Sequence, residues 1–289
     1  MAISSKLVAF ITLLRPKQWV KNTFVIAPLI FTGEFFAHTQ LILSLWATAL
    51  FCLASSSVYV LNDLADIEAD RKHPKKSKTR PLASGALSKT EGYFALLIVA
   101  SLTAILAWLA PFPTWPILVY LVTNIGYSFY LKRQPIIDLF TLAVGFVIRV
   151  YMGAIAIAVP LSSWMFITTF ALALFLAVIK RRQELVSSGN EAFSREVLRF
   201  YSIPLLDKYA EMSSTGALIF YCLFVISQRP ELALSVPFVL FGFFRYWYLV
   251  QQENQGESPT DVLLKDPQLI ITVLLWAGVC GYLIVQSSL

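Results

Sequence analysis

The chain has 289 residues, of which 57% are hydrophobic and only 14% charged, with a formal net charge of +6; an ordinary soluble domain carries about 25% charged residues. That scarcity excludes a soluble enzyme of this length and an intrinsically disordered chain, while 12 Gly are too few for a collagen and 3 Cys too few for a disulfide scaffold. A polytopic membrane protein remains, and its fold class is an all-α integral membrane bundle.

In chain order, Lys6 is followed by the apolar or small run Leu7 to Leu13 and then by Arg15. No small-x-small cleavage site follows, so the start is expected to be a retained interfacial helix and not a signal peptide. Cys52, Cys222 and Cys280 sit singly in apolar stretches and suggest neither a disulfide nor a zinc site. A bilayer core about 30 Å thick needs about 20 helical residues. Stretches of that kind lie near 19–38, 41–61, 91–110, 114–131, 136–159, 161–179, 212–228, 231–250 and 268–286, which predicts nine spans in one domain over 1–289.

Basic residues set the expected orientation. They precede span 1 and follow spans 2, 4, 6 and 8, whereas the opposite loops hold only Arg229, so the N-terminus is expected in the cytoplasm and the C-terminus outside the cell membrane. The positive charge is therefore spread along one membrane face. It points to anionic lipid or anionic substrates and not to nucleic acid. Two long cytoplasmic loops, 62–90 and 180–211, are the expected working loops.

The first of them opens on Asn62-Asp63-Leu64-Ala65-Asp66-Ile67-Glu68-Ala69-Asp70. On a continued helix Asp63 and Asp70 lie about 20° apart, Asp66 lies about 60° from Asp63, Asn62 falls in the same arc, and Glu68 faces elsewhere. Hard oxygen ligands without His or Cys suit Mg²⁺, which keeps waters and bridges carboxylates to substrate phosphates. The alternative is a solvated acidic helix end offset by the Lys and Arg residues that follow.

This motif, with His73-Pro74 and Arg80-Pro81-Leu82-Ala83-Ser84-Gly85 after it, resembles the UbiA superfamily of intramembrane prenyltransferases. The resemblance covers the whole chain and implies nine spans with working loops after spans 2 and 6. It also implies a second Asp-rich motif after span 6. Here that position reads Lys180-Arg181-Arg182-Gln183-Glu184-Leu185, a basic cluster in place of an acidic one. Cations bind phosphate directly, whereas carboxylates need intervening metals, so two phosphorylated substrates fit better than one prenyl diphosphate and a neutral acceptor.

That pattern resembles the decaprenyl-phosphate phosphoribosyltransferase branch. The matching segments are Arg15-Pro16-Lys17-Gln18-Trp19-Val20-Lys21-Asn22, Tyr127-Ser128 with Lys132 and Asp138, Gly145-Phe146-x-x-Arg149, Lys180-Arg181 with Glu184-Leu185, Gly256-Glu257-Ser258-Pro259 and Leu264-x-Asp266. The activity this resemblance implies is transfer of 5-phosphoribose from phosphoribosyl pyrophosphate to a polyprenyl phosphate. It marks Tyr127, Lys132, Asp138 and Glu184 as site residues.

Asp138 and Arg149 are eleven residues apart in span 5, hence about 20° apart on one face and about 16 Å apart along it. A charge at the bilayer centre costs about 2.5–3.5 kcal/mol on insertion scales, so Arg149 is expected to face the bundle interior with a partner. Asp138 is expected to orient a basic residue. In the resulting site Asn62, Asp66 and Asp70 hold Mg²⁺ with Asp63 supporting or directly ligating. Lys76, Arg80, Lys132, Lys180 and Arg181 hold the donor phosphates, and Lys17, Lys21 or Arg149 positions the lipid phosphate. Expected partners are phosphoribosyl pyrophosphate, polyprenyl phosphate, the membrane and a second copy of the chain. The rivals are an aromatic prenyltransferase, which lacks its second Asp motif here, and a transporter, for which ionisable residues would be expected in several spans.

Overall fold

The structure is a computed structural model that describes residues 2–72, 76–188, 196–252 and 259–288; His73, Pro74, Arg195 and Gly256-Glu257-Ser258 lie outside the described residues. Among the described residues every regular element is helical. The order is α1 (Ala2–Leu14), a 3-10 segment (Pro16–Ile26), α2 (Ala27–Thr32), a 3-10 turn (Glu34–Phe36), α3 (His38–Ala65), α4 (Ile67–Lys72) and α5 (Lys76–Thr79). There follow α6 (Lys89–Trp108), α7 (Trp115–Phe129), a 3-10 turn (Leu131–Arg133), α8 (Ile137–Ala156) and α9 (Ser163–Ser188). The rest is a 3-10 turn (Glu196–Phe200), α10 (Ile203–Gln228), a 3-10 turn (Pro230–Ser235), α11 (Val236–Gln252), α12 (Pro259–Lys265) and α13 (Pro267–Ser288).

Among the described residues, seven helical segments are long and apolar enough to cross a membrane: α3, α6, α8, α9, α10, Pro230–Gln252 and α13. Their outer faces expose apolar side chains such as Leu97, Ile105, Leu240 and Leu274, a surface that lipid covers and water would not tolerate. Two of the nine expected spans take another form. The stretch 19–38 is broken into a 3-10 segment that begins upstream at Pro16, a six-residue helix and a turn, because Pro28 and Gly33, which sits at φ 82°, punctuate its apolar run. The fourth is the 15-residue α7, about 22 Å long and short of a full bilayer core.

Both working loops begin as helix. α3 runs to Ala65 and kinks at Asp66 (φ −103°, ψ 13°), yet Asp66 N–H bonds Asn62 O at 2.9 Å and Asp70 N–H bonds Asp66 O at 2.8 Å, so helical bonding crosses the kink. α9 continues through the basic run to Ser188. α10 starts at Ile203, well before its hydropathy rises, because Ser202 accepts from Leu205 N–H at 3.4 Å and Pro204 stands in the first turn.

The segment 16–26 packs between α3 and α8, and α9 packs along both α8 and α10. Contact between segment 16–26 and α8 is close enough that a Cβ added to Gly153 would fall 1.9 Å from the Val25 carbonyl oxygen. The segment is further pinned by Trp19, whose Nε1 donates to Ser56 Oγ at 3.0 Å, and by Ser56, whose hydroxyl donates to Leu14 O at 3.0 Å.

Candidate active site

The four oxygen-bearing side chains of the Asn62–Asp70 motif are each taken up by a neighbour, and two of them share one. Asp63 is almost fully buried and pairs with Arg15 and, at 2.9 Å, with Arg80 Nη1. Asp70, also buried, pairs with the same Arg80 Nη1 and with Lys76 Nζ at 3.6 Å. Asp66, at the kink and half-exposed, meets Lys132 Nζ at 3.3 Å. Asn62 Oδ1 accepts from the Ser128 hydroxyl. Glu68 points to the exposed side and pairs with Arg71 at 3.0 Å. Repulsion among stacked carboxylates is thus relieved by cations drawn from the turn after α1, from α5, from the 80–88 loop and from the turn after α7.

Arg15 reaches Asp63 because the chain turns sharply there. Pro16 disfavours helical backbone at the residue before it, and Arg15 adopts a left-handed conformation (φ 54°, ψ 56°), one that costs a non-glycine residue about 1–2 kcal/mol. The turn ends α1 and aims the guanidinium at the acidic motif, with its carbon 5.1 Å from the centre of the Tyr59 ring.

Asp138 orients a basic residue, and that residue is Arg181. Asp138 Oδ2 accepts from Arg181 Nε at 2.6 Å and both side chains are fully buried. Arg181 Nη1 donates to Glu184 at 2.6 Å and Nη2 to the Tyr127 hydroxyl at 2.7 Å. The other Asp138 oxygen accepts from the Tyr201 hydroxyl at 2.7 Å, which itself accepts from Ile136 N–H at 2.7 Å. Burial pushes the Tyr201 phenol well up from its usual range, so it stays a donor. Ile136 holds a strained positive φ of 68° that starts α8 two residues before Asp138 and places this carboxylate in the favourable first turn.

Of Lys180 and Arg181, both expected to hold the donor phosphates, Arg181 has its guanidinium occupied by protein groups. Arg181 is locked inside the bundle, and Arg182 pairs with Asp207 and donates to Gln251 Oε1 at 2.9 Å. A hydropathy pattern treats a charged run at a helix end as solvated, whereas α9 continues against α8, α10 and α11 and its arginines are compensated there. Lys180 is half-buried beside them.

Arg149 faces the interior and has partners, as its cost in lipid requires. Nε donates to Asn22 Oδ1 at 2.8 Å, Nη1 to Gly145 O at 2.7 Å and Nη2 to the Tyr120 hydroxyl at 3.1 Å. The rings of Phe51, Tyr120 and Phe146 surround it at 5.4, 4.8 and 5.4 Å. It grips the segment that carries Lys17, which is exposed, and Lys21, which is half-buried.

Among the described residues no group of three or more His, Cys, Asp or Glu side chains is gathered closely enough to chelate a metal ion, so the acidic motif is not a closed cage. Its donor set still fits Mg²⁺, which takes one or two carboxylates, several waters and substrate phosphate oxygens. Asp63 Oδ2 is moreover a buried oxygen without a hydrogen-bond partner among the described residues, a lone pair that a cation would satisfy.

The profile of the UbiA prenyltransferase family matches residues 23–262. The chain belongs to that family. It is 34% identical over 289 residues to the decaprenyl-phosphate phosphoribosyltransferase of Mycolicibacterium smegmatis, with 92% of this chain and 89% of that one covered. To the protein of the same name from Corynebacterium glutamicum it is 33% identical over 277 residues, with 91% and 82% covered. A solved UbiA homolog from Archaeoglobus fulgidus bound to GPP and Mg²⁺ matches with a TM-score of 0.72 over 96% of this chain and 99% of that one at 19% identity, which shows a shared fold. The resemblance drawn from the sequence motifs is therefore borne out at the level of family and branch, and this UbiA-family chain is a multi-pass membrane transferase.

Several residues of the site went unassigned in the sequence. Arg15, Asn22 and Ser128 stood inside quoted motifs without roles, and Tyr120 and Tyr201 carried no signal beyond being polar in apolar surroundings.

Proposed function

We propose that the chain transfers 5-phosphoribose from phosphoribosyl pyrophosphate to the phosphate of a polyprenyl phosphate, at the cytoplasmic face of the cell membrane, with nine membrane-inserted segments and the N-terminus inside. The observation that carries the reading is the gathering of Arg15, Lys76, Arg80 and Lys132 on the acidic motif, in a chain whose second loop reads Lys180-Arg181-Arg182 and carries no second acidic motif of the kind that would serve a prenyl diphosphate. The names of the relatives support it.

Asn62, Asp66 and Asp70, with Asp63 behind them, would hold Mg²⁺. When bound, that ion neutralises charge developing on the pyrophosphate leaving group. Lys76, Arg80, Lys132 and Lys180 bind the donor's phosphates, and Lys17 and Lys21 receive the lipid phosphate. Arg181 and Arg149 act as positioning residues, the first by tying α7, α8 and α9 together, the second by holding segment 16–26. The lipid phosphate is ionised at neutral pH and needs no strong base. Its oxygen attacks the sugar C1 as the C1–O bond to pyrophosphate breaks, with inversion.

A donor competition tests this reading. Excess unlabelled phosphoribosyl pyrophosphate suppresses labelling of the lipid from radiolabelled donor, and geranyl diphosphate at the same excess does not. Consumption of the prenyl diphosphate in preference to the sugar donor would make the chain an aromatic-type prenyltransferase instead.

A further inference from the structure

Arg80 is shared between two buried carboxylates that the site needs for another purpose. Its Nη1 contacts Asp63 Oδ1 at 2.9 Å and also Asp70 Oδ2. The Asp63 and Asp70 side chains are only 1% and 4% exposed, whereas that of Arg80 is 21% exposed, so the guanidinium is the solvent-accessible partner of a buried acidic pair. The loop that carries it is anchored independently: Leu82 and Leu87 are buried against α1, α3 and α6, and Ser84 N–H bonds Arg80 O at 2.9 Å. The side chain can therefore swing while its backbone stays.

We propose that Arg80 is an exchangeable counter-ion that makes metal and diphosphate bind together. With the donor absent it neutralises Asp63 and Asp70; when a metal–diphosphate arrives, the metal takes over the carboxylates and the guanidinium moves onto diphosphate oxygens, for which its planar fork is suited. A divalent cation alone must displace Arg80 and leave it without an anion. Diphosphate alone would draw Arg80 away from two buried carboxylates, leaving Asp63 to Arg15 and Asp70 to Lys76, and under-compensated buried charge is costly. Each ligand removes the penalty of the other, and by linkage the enhancement is reciprocal. The free enzyme thus discriminates against bare metal and bare diphosphate in favour of the complex.

The inference rests on the reading of this site as one for a metal–diphosphate, and its test separates the two. Mn²⁺ serves as the probe for the metal, its free concentration followed by electron paramagnetic resonance with the full chain in nanodiscs. Radiolabelled pyrophosphate with Mg²⁺ is the second probe. Arg80→Gln is expected to bind Mn²⁺ alone about tenfold more tightly than wild type, a coupling of ordinary size, while its pyrophosphate binding weakens. Arg80→Lys, which keeps the charge without the fork, is expected to fall between. Thermal unfolding in both variants checks that the protein is folded; should Arg80→Gln fail that check, a gain in Mn²⁺ affinity in Arg80→Lys decides. Unchanged or weaker Mn²⁺ affinity in a folded variant, with wild type binding pyrophosphate, overturns the exchange alone. Wild type that binds no pyrophosphate with Mg²⁺ overturns the site reading as well.

Discussion

Arg149 Nε donates to Asn22 Oδ1 across 2.8 Å, joining the middle of α8 to the segment that carries Lys17 and Lys21. Because Asn22 in turn donates to Cys52 Sγ and Ser55 Oγ, each at 3.3 Å, one guanidinium fixes segment 16–26 against two helices. The link places Arg149 behind the site as a positioning residue.

Arg149→Lys is therefore expected to lose activity by about 10–100-fold, since an ammonium cannot serve Asn22, Gly145 O and Tyr120 at once. The apparent KM for polyprenyl phosphate should rise more than that for the sugar donor. Combined with Asn22→Ala, the effects should be clearly less than additive, as in a double-mutant cycle of contacting residues. Additive losses would separate the two residues.

Gly153→Ala tests the same link from the backbone side. A methyl group there meets the Val25 carbonyl oxygen, and overpacking of this kind costs about 1–3 kcal/mol. Gly242→Ala and Gly278→Ala, whose added Cβ meets nothing within 4 Å, should stay within about 0.5 kcal/mol of wild type in thermal unfolding.

Asp138→Asn removes one of the two carboxylates that face a fully buried arginine, the other being Glu184. Breaking such a pair costs about 3–5 kcal/mol, whereas Tyr201→Phe, which removes one neutral donor from the same carboxylate, should cost about 1 kcal/mol. Unfolding midpoints of the two variants rank them. Equal midpoints would contradict the buried pair.

Asp66→Asn behaves differently, because the Asp66–Lys132 pair is partly exposed (37% and 23%) and such pairs contribute about 0–1 kcal/mol. The variant should be inserted and folded with a nearly unchanged melting point, yet lose turnover. Near-normal turnover in that variant would remove Asp66 from the proposed metal ligands.

Much of the site was local in sequence and therefore legible. Asn62, Asp63, Asp66 and Asp70 fall within nine consecutive positions through which helical bonding continues across the kink at Asp66, so their spacing alone marks them as one motif, and the cost of charge in lipid correctly gave Arg149 an interior partner. What periodicity cannot give is who answers each carboxylate: Arg15 lies 48 residues from Asp63, and Ser128 and Lys132 each lie 66 from their partners. The same limit hid Arg181, because a Lys-Arg-Arg run at the end of an apolar stretch has the pattern of a solvated anchor until Asp138 and Tyr127 are brought to it. The broken first span has a related cause. Hydropathy sums the apolar residues of 19–38, while its course is set by Pro28 and Gly33.

The central claim is the transfer of phosphoribose to a lipid phosphate. Its most direct test is incubation of the purified chain with radiolabelled phosphoribosyl pyrophosphate, polyprenyl phosphate and Mg²⁺, followed by organic extraction. The account predicts label in the lipid phase that disappears on chelation of the metal or omission of the lipid phosphate; label confined to the aqueous phase, with the protein folded, would contradict it.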